Sequence, residues 1–400
     1  MTNTTKLEKS KQVKLVEVKS QNLTNSRSDR PAGYQYFNVV TDHLNNDLTK
    51  IFNGELVYPR QLEIHLPGNR KRACNFNCYY CQGRILEQPL APFEEDALAI
   101  VEKLKGRVPY FIYGGAYTEP LLNPYFPDFL KLTKKYGSRF GIHTNGSLLK
   151  RLEKEKSFLS EICRIASSPE DYLSVSLDAG VAQSHMRTKN IKVNWFDEII
   201  EGIRIAAKIR GNSRRPAIRV CYLLNRFNSS ESEIKRIISI MQNIKVDSLR
   251  FSIPYDLYGK SFDTVRKYKQ SVEIIRNFDY GKMLKPLMSK NLRERPYVFY
   301  ISPHCQDVDR MNFKRCIYSY YQITLASDGH VYKCSSTASP SFKMNRLGKT
   351  TNDFEEFKKM ILANHNPNFN PATCFKVGAR CNRIALEINT TWAKMNEKNH

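Results

Sequence analysis

Residues 72–84 read RACNFNCYYCQGR and place Cys74, Cys78 and Cys81 at the spacing C-x3-C-x2-C. An aromatic residue, Tyr80, directly precedes the third cysteine. Three thiolates within eight residues can bind three corners of an iron–sulfur cube, whereas a cube that is held by protein alone takes four. The motif therefore predicts a 4Fe-4S cluster with one iron left for a ligand that is not protein.

A structural zinc site and a disulfide framework are the alternatives for this loop. Zinc would require a fourth Cys or His nearby, but the closest histidine, His65, ends an apolar run rather than standing at ligand spacing. Disulfides are typical of small secreted chains, and the polar N-terminus lacks the apolar central region of a signal peptide. The cluster interpretation is favoured over both.

Composition bounds the class of protein. The 400 residues are 41% hydrophobic, enough for one large domain and a smaller one. No apolar run reaches 18 residues, so no membrane span is predicted. Residues 1–33 carry seven Lys or Arg against three Asp or Glu and are predicted to form a flexible basic arm. Reduced cysteines and the lack of an export signal predict a cytoplasmic protein.

The chain is strongly basic, with a formal net charge of +24 that is spread over its length. Such a field attracts polyanions or acidic peptides. A lysine-rich, solvated surface without a charged partner explains the same composition equally well. The charge alone therefore names no partner.

From residue 61 the chain alternates between short apolar runs and amphipathic stretches. Six strands are predicted, at Gln61–Leu66, Tyr110–Gly114, Arg139–Thr144, Tyr172–Leu177, Ala217–Leu224 and Ser248–Pro254. The helical patterns are Glu94–Lys105, Phe126–Lys135, Leu148–Ile165, Trp195–Ile209, Glu231–Ile244 and Thr264–Phe278. Six strand–helix units in succession predict an α/β fold, a partial (β/α)6 TIM-like barrel with a parallel sheet.

The conspicuous motifs all follow predicted strands. The cysteine loop follows the first strand, and GGAYTEPLLNP at residues 114–124 follows the second. HTNGS at residues 143–147 ends the third strand, and SLDAG at residues 176–180 ends the fourth. Because parallel barrels build their active sites at the carboxyl ends of the strands, these four loops predict one site.

Taken together, these residues resemble a radical S-adenosylmethionine (radical SAM) enzyme over roughly residues 60–280. The resemblance implies that Cys74, Cys78 and Cys81 hold the SAM-binding cluster. It further implies SAM contacts from Tyr80 near the adenine, from Gly114 and Gly115 at the amino group, and from Asn145, Ser176 and Asp178 in the SAM and ribose pocket.

Two further residues have open interpretations. Glu119 lies three residues beyond the place where many radical SAM enzymes carry a glutamate, so it is either a ligand of the SAM ammonium or a turn residue before Pro120. Arg187 is either a ligand of the SAM carboxylate or a solvated basic residue. The resemblance also implies reductive cleavage of SAM to a 5′-deoxyadenosyl radical, with the electron coming from a flavodoxin- or ferredoxin-type donor.

Residues 281–400 contain a second set of cysteines. The segment CIYSYYQITLASDGHVYKC, residues 316–334, predicts a hairpin with its turn at Ser327–Gly329. The G-x4-C spacing up to Cys334 resembles the start of the auxiliary-cluster domains called SPASM or twitch. That resemblance implies one auxiliary 4Fe-4S cluster on Cys316, Cys334, Cys374 and Cys381, with Cys305 as a replacement ligand or a catalytic thiol. Scattered buried cysteines are the alternative.

The predicted organisation is therefore a basic arm at 1–33, a radical SAM core at 34–280 and a small α+β cluster domain at 281–400. A ribosomally made, acidic precursor peptide is the favoured substrate, because such auxiliary domains occur in peptide maturases. A small molecule such as an aminocyclitol or nucleoside is the alternative. Modification of nucleic acid is a third hypothesis, which rests on charge alone.

Overall fold

A computed structural model of the chain describes residues 44–68, 72–81, 89–115, 117–213, 215–252, 297–301 and 315–365, together with residues 369, 374 and 389. For residues 297–301 only the backbone is described. The predicted arm at 1–33, the predicted helix Thr264–Phe278, Cys305 and Cys381 lie outside these residues.

One ten-stranded sheet organises the described chain, in the order β10-β9-β8-β1-β2-β3-β4-β5-β6-β7. Strands β1 to β7 are parallel to their neighbours, as is β8 to β1, whereas β9 and β10 are antiparallel. The strands are Gln61–Ile64 (β1), Tyr110–Tyr113 (β2), Arg139–Thr144 (β3), Tyr172–Ser176 (β4), Ala217–Leu223 (β5), Ser248–Ser252 (β6), Tyr297–Ile301 (β7), Gln322–Leu325 (β8), His330–Tyr332 (β9) and Arg346–Lys349 (β10). The prediction of a parallel α/β sheet, in which the six predicted strands are β1 to β6, is confirmed.

The structure describes ten helices, most of which share a hydrophobic core with one face of this sheet. They are Leu44–Phe52 (α1), Glu94–Leu104 (α2), Phe126–Lys135 (α3), Leu149–Lys156 (α4), Phe158–Ile165 (α5), Ala182–Lys189 (α6), Phe196–Arg210 (α7), Glu231–Ile244 (α8), Tyr318–Tyr321 (α9) and Phe354–Asn364 (α10), with 3-10 turns at Pro120–Leu122, Ser335–Thr337 and Pro340–Asn345. Two predicted helices, at α3 and α8, have the predicted bounds. The pattern at 148–165 forms two helices rather than one, and α1, α6, α9 and α10 were not predicted.

The two faces of the strands differ in polarity, as the two-residue period of a strand requires. On the outward face, apolar side chains such as Leu62, Phe140 and Val220 are buried in the main hydrophobic core beneath the helices. On the inward face, the aligned positions of neighbouring strands carry polar side chains such as His143, Ser174 and Arg219. The barrel therefore has an apolar wall and a polar interior.

The C-terminal hairpin extends the same sheet. Strand β8 pairs in parallel with β1, and the turn before β9 contains Gly329 at φ 76°, a conformation that glycine adopts without strain. At the other edge, β7 pairs with β6. Residues on the C-terminal side of position 281 thus lie on both edges of the barrel sheet. Hydrophobic alternation predicts that a strand exists, but it does not say which edge the strand joins.

Within the described ranges, each helix is too short or too polar to cross a bilayer.

Candidate active site

The cysteine loop leaves the carboxyl end of β1 and docks on the last turn of α6. The backbone N–H of Asn77 donates to the carbonyl of Lys189 at 3.1 Å, and that of Tyr79 donates to the carbonyl of Thr188 at 3.4 Å. The last four carbonyls of a helix have no partner within the helix. The loop therefore satisfies groups that α6 leaves open, and α6 in turn fixes the backbone on both sides of the second cysteine, Cys78.

The three thiols of this loop are half-buried. Burial raises the pKa of Cys74 to about 12 and that of Cys78 to about 11, so both stay protonated until a metal binds. Among the described residues, no three His, Cys, Asp or Glu side chains converge on a single metal ion. In a four-iron cube each thiolate binds a different iron, so such convergence is not required. Three cysteines on one short loop fit a cluster.

A buried ion pair lies beside the loop. Asp178, which follows β4 at φ 56°, accepts a hydrogen bond from Lys189 Nζ at 2.5 Å through Oδ2. The hydroxyl of Tyr80 donates to the same oxygen, and the backbone N–H of Leu223 donates to Oδ1 at 2.7 Å. Burial alone would lower the pKa of Lys189, but Asp178, together with the nearby Cys78 and Cys74, holds that pKa above its usual value. The loop is thereby tied to the ends of β4 and β5.

Lys189 was missed by the sequence interpretation, which selected Arg187 on the same helix. Arg187 is exposed, whereas Lys189 is buried to 1% exposure. A signal did exist, because a carboxylate at the end of a buried strand, Asp178, requires a nearby cation. The roles proposed for Tyr80 and Asp178 towards SAM stay predictions. In this structure the Tyr80 hydroxyl and the Asp178 carboxylate bond to each other and to Lys189.

Glu119 is buried and joins three loops. Its Oε1 accepts from the Thr144 hydroxyl at 2.7 Å and from the Leu121 N–H at 3.2 Å, and its Oε2 accepts from the Asn145 N–H at 2.6 Å. Its own N–H donates to the carbonyl of Ala73 at 3.0 Å. Burial raises the pKa of Glu119 to about 7, although these donors favour the charged form. Both carboxylate oxygens bond to protein, so the displaced glutamate organises the loops after β2 and β3.

Asn145 connects that network to the first cysteine. Its Oδ1 accepts from the Ser147 N–H at 2.9 Å, while its Nδ2 donates to Asn75 Oδ1 at 2.7 Å and to Cys74 Sγ at 3.5 Å. Asn75 in turn donates to the Ser147 hydroxyl at 2.9 Å. Asn75, which lies between the first two cysteines, was not predicted. Its position within the motif was the available signal.

The glycine pair after β2 runs against two inward-facing histidines. Gly114 and Gly115 have φ angles of 140° and 155°. A Cβ on Gly115 would lie 2.4 Å from the His65 ring, and one on Gly114 would lie 2.6 Å from the Cβ of His143. Only glycine fits this backbone path. Glycine at both positions therefore lets the main chain pass close to the two histidines.

The barrel interior above these residues is polar and partly open to solvent. Among the inward-facing positions, half-buried side chains recur at Glu63, His143, Ser176, Arg250 and Ser252. Burial, together with the charges of Arg219 and Arg250, lowers the pKa of His143 to about 3, so its ring is neutral. The described interior is therefore a polar chamber at the same edge of the sheet as the cysteine loop.

A second cysteine group flanks β8 and β9 in the sequence: Cys316 precedes β8, and Cys334 and Cys374 follow β9. Asn389 Nδ2 donates to Cys316 Sγ at 3.6 Å, and Asn345 Nδ2 donates to Cys374 Sγ at 3.3 Å. Burial raises the pKa of Cys334, and the nearby Cys316 and Cys374 raise it further. Two of the other predicted auxiliary ligands, Cys316 and Cys374, are therefore within electrostatic reach of Cys334.

Comparison with known families supports the first site. Residues 69–228 match the model of the Radical SAM superfamily. The matched stretch contains the cysteine loop, the glycine pair and the carboxyl ends of β2 to β5. This part of the chain therefore matches a radical SAM domain, a class of enzymes that use a 4Fe-4S cluster and SAM. No curated protein matches the sequence significantly.

Solved structures extend the likeness of fold beyond this domain. SuiB from Streptococcus suis bound to S-adenosylmethionine superposes with a TM-score of 0.52 at 14% identity, covering 73% of this chain and 63% of that chain. SuiB bound to precursor peptide SuiA superposes with a TM-score of 0.51 at 15% identity, covering 82% of this chain and 67% of that chain. The histidine-tagged anSMEcpe with bound AdoMet superposes with a TM-score of 0.50 at 16% identity, covering 82% of this chain and 84% of that chain. At such identities the likeness shows the fold alone.

Proposed function

We propose that this radical SAM enzyme abstracts hydrogen from a ribosomally made precursor peptide. The observation that carries the chemistry is the loop of Cys74, Cys78 and Cys81, held against α6 at the carboxyl end of a parallel sheet. When bound there, the cluster and SAM supply a 5′-deoxyadenosyl radical by one-electron cleavage of a carbon–sulfur bond.

The chain's own residues have positioning roles in this proposal. The backbone at Gly114 and Gly115, which follows β2 at the same edge of the sheet as the cysteine loop, meets the SAM ammonium. Tyr80 and Ser176 line the nucleoside side, and the polar chamber receives the substrate. Arg187 is exposed on α6, which makes the carboxylate role proposed for it the weakest of these assignments.

Two observations support a peptide substrate. The net charge of +24 suits an acidic peptide, which a positive surface attracts from a distance. The fold resembles that of SuiB over 82% of the chain, and the SuiB structure contains a precursor peptide. The half-buried polar side chains of the barrel interior favour a small polar substrate instead, so a small molecule is the second candidate.

We also propose an auxiliary 4Fe-4S cluster on Cys316, Cys334 and Cys374, with Cys381 as the fourth ligand. The electrostatic proximity of the first three supports it. A cluster with four protein ligands has no open iron, so it would transfer electrons rather than bind substrate. Such a cluster could accept the electron that is released when a substrate radical becomes an oxidised product.

The chemistry is tested with anaerobically reconstituted protein, SAM and a low-potential reductant. The wild-type protein is expected to form 5′-deoxyadenosine, and the variant with Ala at positions 74, 78 and 81 is expected to form none. That variant should lose about four irons and keep about four at the auxiliary site, and its spectrum should not change when SAM is added. SAM cleavage by the triple variant would overturn the site, and no residual iron would overturn the auxiliary cluster.

The substrate class is tested by the yield of 5′-deoxyadenosine with extracts of the cells that make the protein. The extract is divided by size into macromolecules and small molecules, and portions of the first fraction are treated with protease or nuclease. If the macromolecular fraction increases the yield of 5′-deoxyadenosine and protease treatment removes that increase, a peptide substrate is supported. Stimulation by the small-molecule fraction would support the second candidate, and stimulation that only nuclease removes would contradict both.

A further inference from the structure

Asn145 contacts a sulfur that the radical SAM domain assigns to its cluster. The contact runs from Asn145 Nδ2 to Cys74 Sγ over 3.5 Å, and the backbone N–H of Phe76 donates to the same sulfur at 3.4 Å. The sequence interpretation placed Asn145 in the SAM pocket. In the structure its side chain lies against the cysteine loop.

The orientation of the Asn145 amide is fixed by its neighbours. The backbone N–H of Ser147 can only donate, so the atom it meets at 2.9 Å must be the oxygen of Asn145. The amide nitrogen then faces Asn75 Oδ1 and Cys74 Sγ. Its two hydrogens have one acceptor each, so the donor towards the sulfur follows from the network.

Glu119 holds this residue in place from the other side. Its Oε2 accepts the Asn145 N–H at 2.6 Å, and its Oε1 accepts the hydroxyl of Thr144, the residue before it. Glu119 is 1% exposed, so water does not compete for these bonds. The N–H donor towards Cys74 is thus supported by a buried carboxylate on a different loop.

We propose that Asn145 is a positioning residue that raises the reduction potential of the SAM-binding cluster through its hydrogen bond to Cys74. A cluster gains negative charge on reduction, and a donor at a ligand sulfur stabilises that charge. The bond therefore favours uptake of the electron that SAM cleavage needs. This inference rests on the proposed function and identifies a residue that tunes the reduction of its SAM-binding cluster.

The test is a redox titration followed by electron paramagnetic resonance on reconstituted full-length protein. The signal that changes on addition of SAM identifies the cluster with the open iron. Asn145→Ala removes the donor, and reduction is expected to become about tenfold less favourable, which is about 59 mV for one electron. Ser147→Ala is the matched control on the same loop. It removes the bond from Asn75 but keeps the bond to Cys74, so its potential should stay at the wild-type value.

Asn145→Asp serves as a second variant, because it keeps an oxygen for the Ser147 N–H and replaces the donor by a second oxygen. Its potential should fall at least as far as that of Asn145→Ala. The inference would be overturned if Asn145→Ala and Asn145→Asp keep about four irons at this site and retain the wild-type potential. It would also be overturned if both variants lose this iron. Failure of the wild-type protein to cleave SAM would instead overturn the proposed function.

Discussion

At the scale of single residues, the site depends on one buried pair of opposite charges. Lys189 and Asp178 have side chains that are 2% and 0% exposed, and they join α6 to the end of β4 beside the cysteine loop. Removing charges from water costs several kcal/mol each, and a close partner offsets that cost. Removing one member of the pair should therefore lower the free energy of unfolding by more than removing both.

We expect Lys189→Met to destabilise the protein by about 3–5 kcal/mol, because it leaves a carboxylate buried without its cation. The double variant with Asp178→Asn should recover part of that loss, since Asn tolerates the left-handed backbone at this position. Urea unfolding of the metal-free protein measures both values. Lys150→Met, which breaks the exposed pair with Glu198, is the control and should cost less than about 1 kcal/mol. Equal losses for Lys189→Met and the control would contradict the role of the pair.

The residue types of the site could be predicted from sequence more readily than their partners. The cysteine spacing identified the cluster loop because three ligands on one short segment are local in sequence. Glu119 and Asn145 were also selected, but their contacts join loops that are 26 residues apart or more. Such pairings depend on the path of the backbone, which one sequence does not reveal. Lys189 was missed because the sequence does not show which basic residue of α6, Arg187 or Lys189, faces Asp178.

At the scale of elements, the break between α4 and α5 shows how a periodic pattern can conceal a boundary. Apolar residues recur at helical spacing across 148–165, which predicts one helix. In the structure Ser157 adopts φ 51° and ends α4, and the Glu153 carboxylate accepts the N–H groups of Leu159 and Ser160 at the start of α5. The two short helices keep the same buried face, so the periodicity survives the break.

This break yields a prediction for Ser157→Gly. A left-handed backbone costs a non-glycine residue roughly 1–2 kcal/mol, and replacing Ser157 by glycine removes this cost. Part of the stability gained is offset, because glycine has greater freedom in the unfolded chain. Ser157 makes no side-chain cap to α5, so no hydrogen bond is lost. We expect the variant to be more stable by up to about 1 kcal/mol in thermal or urea unfolding. Lys154→Gly, at an exposed right-handed position nearby, should lose about 1 kcal/mol. Destabilisation by both would contradict the explanation.

At the scale of the whole molecule, the C-terminal segment completes the barrel sheet instead of standing apart from it. Strand β8 covers one edge of β1, and the His65 N–H donates to the Leu325 carbonyl at 2.9 Å. Apolar side chains of this segment also lie in the main core with those of the barrel, namely Ile323, Leu325, Val331, Phe357, Met360 and Ile361. The division at residues 280 and 281 separates sequence motifs, while the sheet and its core run across that division.

A chain of residues 34–280 alone is therefore expected not to fold cooperatively. Burial of an apolar side chain stabilises by about 1.5–3 kcal/mol, so six lost from one core are worth about 9–18 kcal/mol, which is comparable to the stability of an entire domain. The edge of β1 would also lose its partner and become a site of aggregation. Thermal unfolding by circular dichroism should show no sharp transition, whereas a chain that lacks only residues 1–33 should keep it. A sharp transition in the 34–280 chain would mean that the core folds without β8, and that the second cysteine group belongs to an independent unit.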